Sequence, residues 1–233
     1  MEQNSQIISK EKYRRNLKFV VLETILTSIG AGFSVATITI FWNSIGMNQT
    51  DIGFVQMAFT IAICLLDIPL GYIADRFNRK ILNIIGDIGV ALVFALYAFS
   101  KNMYMALLSE CLLGLFLAMT NGVDQSFIKT NCDKIDKTGE LFKKVNVKIH
   151  TVRYIAMLIV TIVGGFIAKY SIRLSIGISF VPYFVGGLIA FKIYDYSDKL
   201  EAKHSNPLKD MVHSIKEVLK EKNTRIYLFS YIL

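Results

Sequence analysis

The sequence predicts an all-α, polytopic membrane protein built around a bundle of six transmembrane helices. Three observations predict it. Of its 233 residues, 53% are hydrophobic and 19% charged, with a mean hydropathy of +0.46, more apolar than a surface facing water allows. The apolar residues fall into six runs, at about 18–42, 52–74, 81–100, 103–127, 152–168 and 174–193, each near the ~20 residues that a spanning helix needs. Lys and Arg alternate with these runs, so that 23 of 26 fall on one side of a six-span chain. The positive-inside rule makes that side cytoplasmic.

The elements follow in chain order. Residues 1–17 are polar and basic and read as a cytoplasmic N-terminal segment. No short apolar stretch with a small-residue cleavage site follows them, so no signal peptide is expected. The bundle takes residues 18–193. Arg76, Arg79 and Lys80 lie between its second and third runs, and seven cations from Lys129 to Arg153 between its fourth and fifth. The loops of the opposite side hold only Lys101, Lys169 and Arg173. Trp42 and Tyr104 fall near that outer boundary, where aromatic residues anchor spans. Residues 194–224 form a polar, cytoplasmic central loop. Inside it, Asn206-Pro207 supplies an N-cap and a first helical position. Leu208, Met211, Val212, Ile215, Val218 and Leu219 then recur at helical spacing. Residues 207–222 therefore read either as an amphipathic helix at the membrane surface or as a solvated connector. Residues 225–233 look like the start of a seventh span cut after about 14 Å of helix.

Composition also narrows function. The net charge of +8 sits between apolar runs, not on the face of a soluble body, so nucleic acid is not an expected partner. Cys64, Cys111 and Cys132 give an odd count without paired spacing, which supports neither a disulfide framework nor a metal centre. Cys64 and Cys111 read as small buried hydrophobes. His150, His204 and His213 all fall in segments read as cytoplasmic, and neither HExxH nor GxSxG occurs. An enzyme is not expected, and no cofactor is implied.

The segment from Gly71 to Lys80, Gly-Tyr-Ile-Ala-Asp-Arg-Phe-Asn-Arg-Lys, joins the second and third runs. Gly71 allows close helix packing where the chain leaves the membrane. Asp75 lies near a helix end, where a carboxylate can accept backbone N–H groups. Arg76, Arg79 and Lys80 can meet anionic headgroups or acids on adjacent helices. The segment resembles the loop 2–3 signature of the major facilitator superfamily, G-x-L-A-D-R-x-G-R-K, and occupies the same loop. Asn78 stands where the family has Gly, and Asn tolerates left-handed backbone. Asp67-Ile-Pro69-Leu-Gly71 and Asn121-Gly122-Val-Asp124-Gln125 resemble a drug-exporter-like branch. The resemblance implies the N-terminal half of a twelve-helix fold, itself a 3+3 inverted repeat. It also implies that Gly71, Asp75, Arg76, Arg79 and Lys80 form a conformational latch, with Asp124 as a possible partner. A repeat should leave an echo: Gly71 to Arg79 aligns with Gly165 to Arg173 at Gly, Ile, Ala and the final Arg, an agreement that chance also explains. Glu110 stands where many proton-coupled members carry Arg, and Thr161-Ile-Val-Gly164-Gly165 lacks the Pro of the antiporter pattern.

Ionisable groups at membrane depth cost about 2.5–3.5 kcal/mol each on the insertion scale and are functional candidates by default. They are Glu23, Asp67, Asp87 and Glu110. Asp67 and Asp87 could equally pair with Arg14, Arg76 or Arg79. Glu110 has no cation near it in sequence and is the first candidate for a proton or substrate site, with Glu23 and Asp67 behind it. A carboxylate there would also attract a cationic substrate. The expected function is secondary active transport: proton-coupled efflux of small amphipathic molecules by alternating access, in a cell membrane, bacterial by its Ile, Lys and Asn content. The expected partners are a small-molecule substrate, protons, anionic lipid headgroups and a second six-helix bundle. The alternative is a truncated, transport-inactive protein or a half-transporter that needs that second bundle.

Overall fold

The computed structural model describes residues 2–76 and 78–196, and side chains from residue 10 onward except 68 and 75–77. The expected amphipathic helix 207–222 and the start of a seventh span at 225–233 lie outside the described residues. Those described are helical in nine segments: α1 (Glu2–Val35), α2 (Ile38–Ser44), α3 (Gln49–Arg76), α4 (Arg79–Phe99), α5 (Met103–Thr120), α6 (Val123–Ile135), α7 (Glu140–Tyr170), α8 (Ile172–Gly177) and α9 (Phe180–Ala190). Among the described residues six stretches are long and apolar enough to cross a membrane: Lys10–Val35, Gln49–Ala74, Arg79–Phe99, Met103–Ile135, Glu140–Tyr170 and Ile172–Ala190.

The spans match the six apolar runs in order, but their edges differ for physical reasons. The first run breaks at residues 36–37, and its tail becomes the separate helix α2. The fifth span, α7, begins at Glu140 instead of 152. Its first turns carry Lys143, Lys144 and Lys148, good helix formers that apolar counting leaves out. The fourth run is interrupted at Asn121-Gly122, where Gly122 adopts φ +76°. An Asn-Gly pair in a helical pattern is a break signal, and Gly alone enters that conformation without strain.

Local capping fixes the helix starts. Asn78 Oδ1 accepts from the Lys80 N–H at 3.0 Å, the bond of an N-cap. Its backbone is extended, φ −159°, so capping and not left-handed tolerance accounts for Asn at this place. Asn102 caps α5 by accepting from the Met105 N–H at 3.0 Å. Before α7, Asp136 collects the Thr138 N–H, the Thr138 hydroxyl and the Leu141 N–H. Those donors, Thr138 foremost, hold its carboxyl below the usual carboxylate range.

Packing produces two apolar cores along the bundle. One gathers Phe41, Trp42, Val55, Val90, Phe94, Tyr97 and Ile176; the other gathers Val20, Phe127, Ile128, Cys132, Ile149 and Ile193. Trp42 is 1% exposed, so it is a core residue and not the interfacial anchor its position indicated. Tyr104 is 79% exposed and remains at the surface. Cys64 and Cys111 are exposed, and only Cys132 is buried, because the first two lie on outward faces of apolar helices.

Small residues set the helix contacts. A Cβ on Gly86 would stand 2.4 Å from Thr120 Cγ2 and 2.9 Å from the Phe116 carbonyl. Backbone cannot yield as a side chain can, so Gly86→Val should force α4 and α5 apart. The expected loss is about 1–3 kcal/mol, measured by unfolding in mixed detergent micelles; unchanged stability would mean the helices part freely here. Gly71 behaves differently: nothing lies within 4 Å of its Cβ position, and the same holds for Gly165. The close packing expected at Gly71 is thus absent among the described residues.

Candidate functional site

Between the two apolar cores lies a polar layer. Glu23 on α1 is 1% exposed and Asp87 on α4 is 2% exposed. Asn83 Nδ2 donates to Glu23 Oε1 at 3.3 Å, and the Thr24 hydroxyl donates to Glu23 Oε2 at 3.4 Å. Asp87 and Asp124 both stand within side-chain reach of Glu23. Among the described residues, buried oxygens of Asp87 (Oδ2), Asp124 (Oδ1) and Asn83 (Oδ1) find no hydrogen-bond donor. Three helices therefore bring three carboxyls together, short of donors.

Arg153 on α7 is the cation whose field acts on Asp124. Its Nε donates to the Ser28 hydroxyl at 2.7 Å, which in turn donates to the Thr24 carbonyl at 2.8 Å. Arg153 thereby ties the fifth span to the first beside the acids. An ionised carboxylate in such a place costs several kcal/mol unless paired, and one arginine faces three acids. Among the described residues no cluster of His, Cys, Asp or Glu is spaced to hold a metal ion.

This layer opens into a cavity of about 380 Å³. Its polar wall comprises Asp87, Asp124, Arg153, Gln125, His150 and Asn121, and its apolar wall Leu117, Met157, Tyr154 and Tyr183. These residues lie near the middle of their spans. The break between α5 and α6 forms one edge, so the helix is interrupted where the cavity needs it. Irregular backbone at membrane depth is tolerated where it lines such a space. Gly30 lets α1 approach the lining residue Tyr183, since a Cβ there would meet its ring at 2.4 Å. The size and mixed lining suit a small molecule with both polar and apolar parts.

The candidates from sequence are distributed unevenly around this site. Glu23 stands behind the cavity wall, and Asp124 and Asp87 line it. Glu110 is 5% exposed but does not line the cavity. It is held between α4 and α5, where the Tyr97 hydroxyl donates to its Oε1 at 2.5 Å. Asp67 accepts from Asn121 Nδ2 at 2.9 Å, which places it against the α5–α6 break. Arg79 donates to the Ser126 hydroxyl at 2.6 Å, and Lys80 donates to the Phe191 carbonyl at 2.7 Å, at the end of α9. Gly71 lies on α3 with open space around it. Asp75 and Arg76 close α3, and their side chains lie outside the described residues.

Sequence reading missed His150, Arg153 and Gln125. His150 precedes the apolar run that starts at 152, and Arg153 at its edge counts with the loop cations, yet α7 carries both into the bundle. His150 Nε2 contacts Gln125 Nε2 at 3.2 Å and lines the cavity. Their spacing held a signal: 150, 153, 154 and 157 fall on one helical face.

A family model described as Major Facilitator Superfamily matches residues 20–233. An uncharacterized MFS-type transporter of Methanocaldococcus jannaschii is 26% identical over 117 residues, 50% of this chain and 30% of that protein. Protein Zinc Induced Facilitator 1 of Arabidopsis thaliana is 38% identical over 64 residues, 28% of this chain and 13% of its own length. An uncharacterized MFS-type transporter of Bacillus subtilis, YitZ, is 26% identical over 155 residues, 66% of this chain and 91% of its own. The chain thus spans under a third of the length of the archaeal and plant relatives.

Proposed function

The chain belongs to the Major Facilitator Superfamily, a family of multi-pass membrane transporters, and on that premise we propose proton-coupled efflux of small amphipathic molecules across the cell membrane. One observation carries the reading: Glu23, Asp87 and Asp124 converge from three helices, with a single arginine, beside a mid-span cavity of about 380 Å³. Facing carboxyls can share and exchange a proton, and the cavity beside them can hold a substrate whose binding changes their surroundings. The mixed lining favours an amphipathic cargo. In this reading the bundle rocks against a second six-helix unit, exposing the cavity to one side and then the other. The same reading has the N-terminal segment and central loop facing the cytoplasm, the side that the placement of Lys and Arg favours.

The test is transport by the full chain in proteoliposomes under an imposed pH gradient. Ethidium and a panel of amphipathic cations and weak acids serve as probes, with a pH-sensitive dye trapped inside. Probe movement that follows the gradient and carries protons with it supports the reading. No probe-dependent proton flux from well-folded protein overturns it.

A second reading, a half-transporter that joins a separate bundle, has its own support. The Bacillus subtilis relative is matched over 91% of its length by 155 residues, too few for twelve spans of about 20 residues. Cross-linking in membranes that captures a partner bundle would favour it.

The Gly71–Lys80 loop is assigned the latch role in this scheme. Asp75→Asn should slow transport about tenfold or more while leaving membrane insertion unchanged. Equal initial rates for the variant and the wild type would remove Asp75 from the latch.

A further inference from the structure

A second cavity, of about 370 Å³, lies at the opposite end of the first span from its break, between the start of α1 and the chain that leaves α9. Lys12, Arg15 and Lys192 line it together with Tyr194 and Tyr196. Glu11 and Asp195, the carboxylates nearest in the chain, do not line it. Among the described residues three cations and no acid line it, which makes the concavity positive.

The cavity is organised. Asn16 donates through Nδ2 to the Tyr194 carbonyl at 2.8 Å and accepts from the Tyr194 N–H at 2.8 Å. Its Nδ2 also reaches Asn131 Oδ1 at 3.0 Å. This clasp fixes the exit chain against α1. Lys12 Nζ stands 5.5 Å from the Tyr194 ring centre and 5.2 Å from that of Tyr196, so the aromatic faces restrain its ammonium. Lys192 Nζ lies 6.0 Å from the Phe19 ring. Arg15 is exposed and makes no ion pair or hydrogen bond among the described residues. Its planar fork suits two oxygens of one phosphate.

The position supplies the second argument. The first candidate span starts at Lys10 and the last ends at Ala190, so these residues lie where the apolar spans give way to polar chain, at headgroup depth. Basic pockets between helices at that depth suit anionic headgroups, and tyrosines concentrate there.

We propose that this cavity binds a phosphate-bearing anion, supplied either by a phospholipid headgroup of the adjoining leaflet or by free phosphate. The bound phosphate would bridge Arg15 on α1 to Lys192 beyond α9 and so fasten both ends of the bundle. The site is separate from the mid-span cavity and does not depend on the transport reading.

The test uses the full chain, delipidated in dodecyl maltoside, with phosphatidylglycerol, phosphatidylcholine or inorganic phosphate added. Adducts are read by native mass spectrometry and stability by melting temperature. The expected result is retained phosphatidylglycerol adducts and a raised Tm, with little effect of phosphatidylcholine. Arg15→Gln/Lys192→Gln should weaken that binding at least about tenfold, while the charge-matched Lys144→Gln/Lys148→Gln keeps it. A Tm rise with inorganic phosphate, to which phosphatidylglycerol adds nothing, assigns the site to free phosphate. The proposal is overturned if phosphatidylglycerol and phosphatidylcholine act alike and phosphate does nothing. It is equally overturned if both charge-removing pairs weaken binding to the same extent, since the attraction would then belong to the whole basic face.

Discussion

Glu23→Gln is expected to lower pH-gradient-driven transport about 10²–10⁴-fold, the usual contribution of a positioned proton-transfer group, while the protein still inserts and folds. The amide keeps the shape of the side chain and an oxygen for Asn83 Nδ2, but it cannot release a proton. Glu23 is the member of the acidic cluster that both Asp87 and Asp124 reach, so its loss breaks the group at its centre. Proteoliposome flux under a pH gradient measures the effect, with binding of a transported probe as a second readout. Probe binding should survive where gradient-driven movement fails. Glu110→Gln is the informative companion. It too keeps an acceptor for the Tyr97 hydroxyl, and it lies away from the cavity. If Glu110→Gln loses the pH response and Glu23→Gln keeps it, the proton site belongs between α4 and α5.

Arg153→Leu should destabilise the bundle by about 2 kcal/mol. The arginine's contact in the bundle is the charged hydrogen bond from Nε to the Ser28 hydroxyl, and such bonds are worth about 1.5–3 kcal/mol; its field also acts on Asp124. The substitution leaves Asp124 without its cation and the Ser28 hydroxyl without its donor. Unfolding in mixed detergent micelles measures it. Arg153→Leu/Asp124→Leu should recover most of the loss, because the stranded carboxylate goes with its partner. A double variant no more stable than the single one would show that Arg153 acts through packing or Ser28 alone, and that its field on Asp124 adds no stability.

Much of the architecture is legible in the chain. Spans of about 20 residues follow from the thickness of the hydrocarbon layer, and composition reveals them without any contact being known. The pattern at Gly71–Lys80 carries the family because its residue types recur at fixed spacing in one loop. Edges are less legible. Lys143, Lys144 and Lys148 extend α7 below its apolar part, and hydropathy cannot see a helix made of good formers that are charged.

The site is the least legible part. Glu110 stands out in the sequence because no cation is near it, yet the group facing it is Tyr97, on the neighbouring helix. Arg153 reads as one more loop cation, yet it turns inward to Ser28. Composition and local spacing suffice for the class, the order of the spans and the list of acids that membrane depth makes costly. Which acids meet follows from helix packing. Glu23, Asp87, Asp124 and Arg153 lie on four helices far apart in the chain, and their convergence depends on how those helices pack, which no local pattern records.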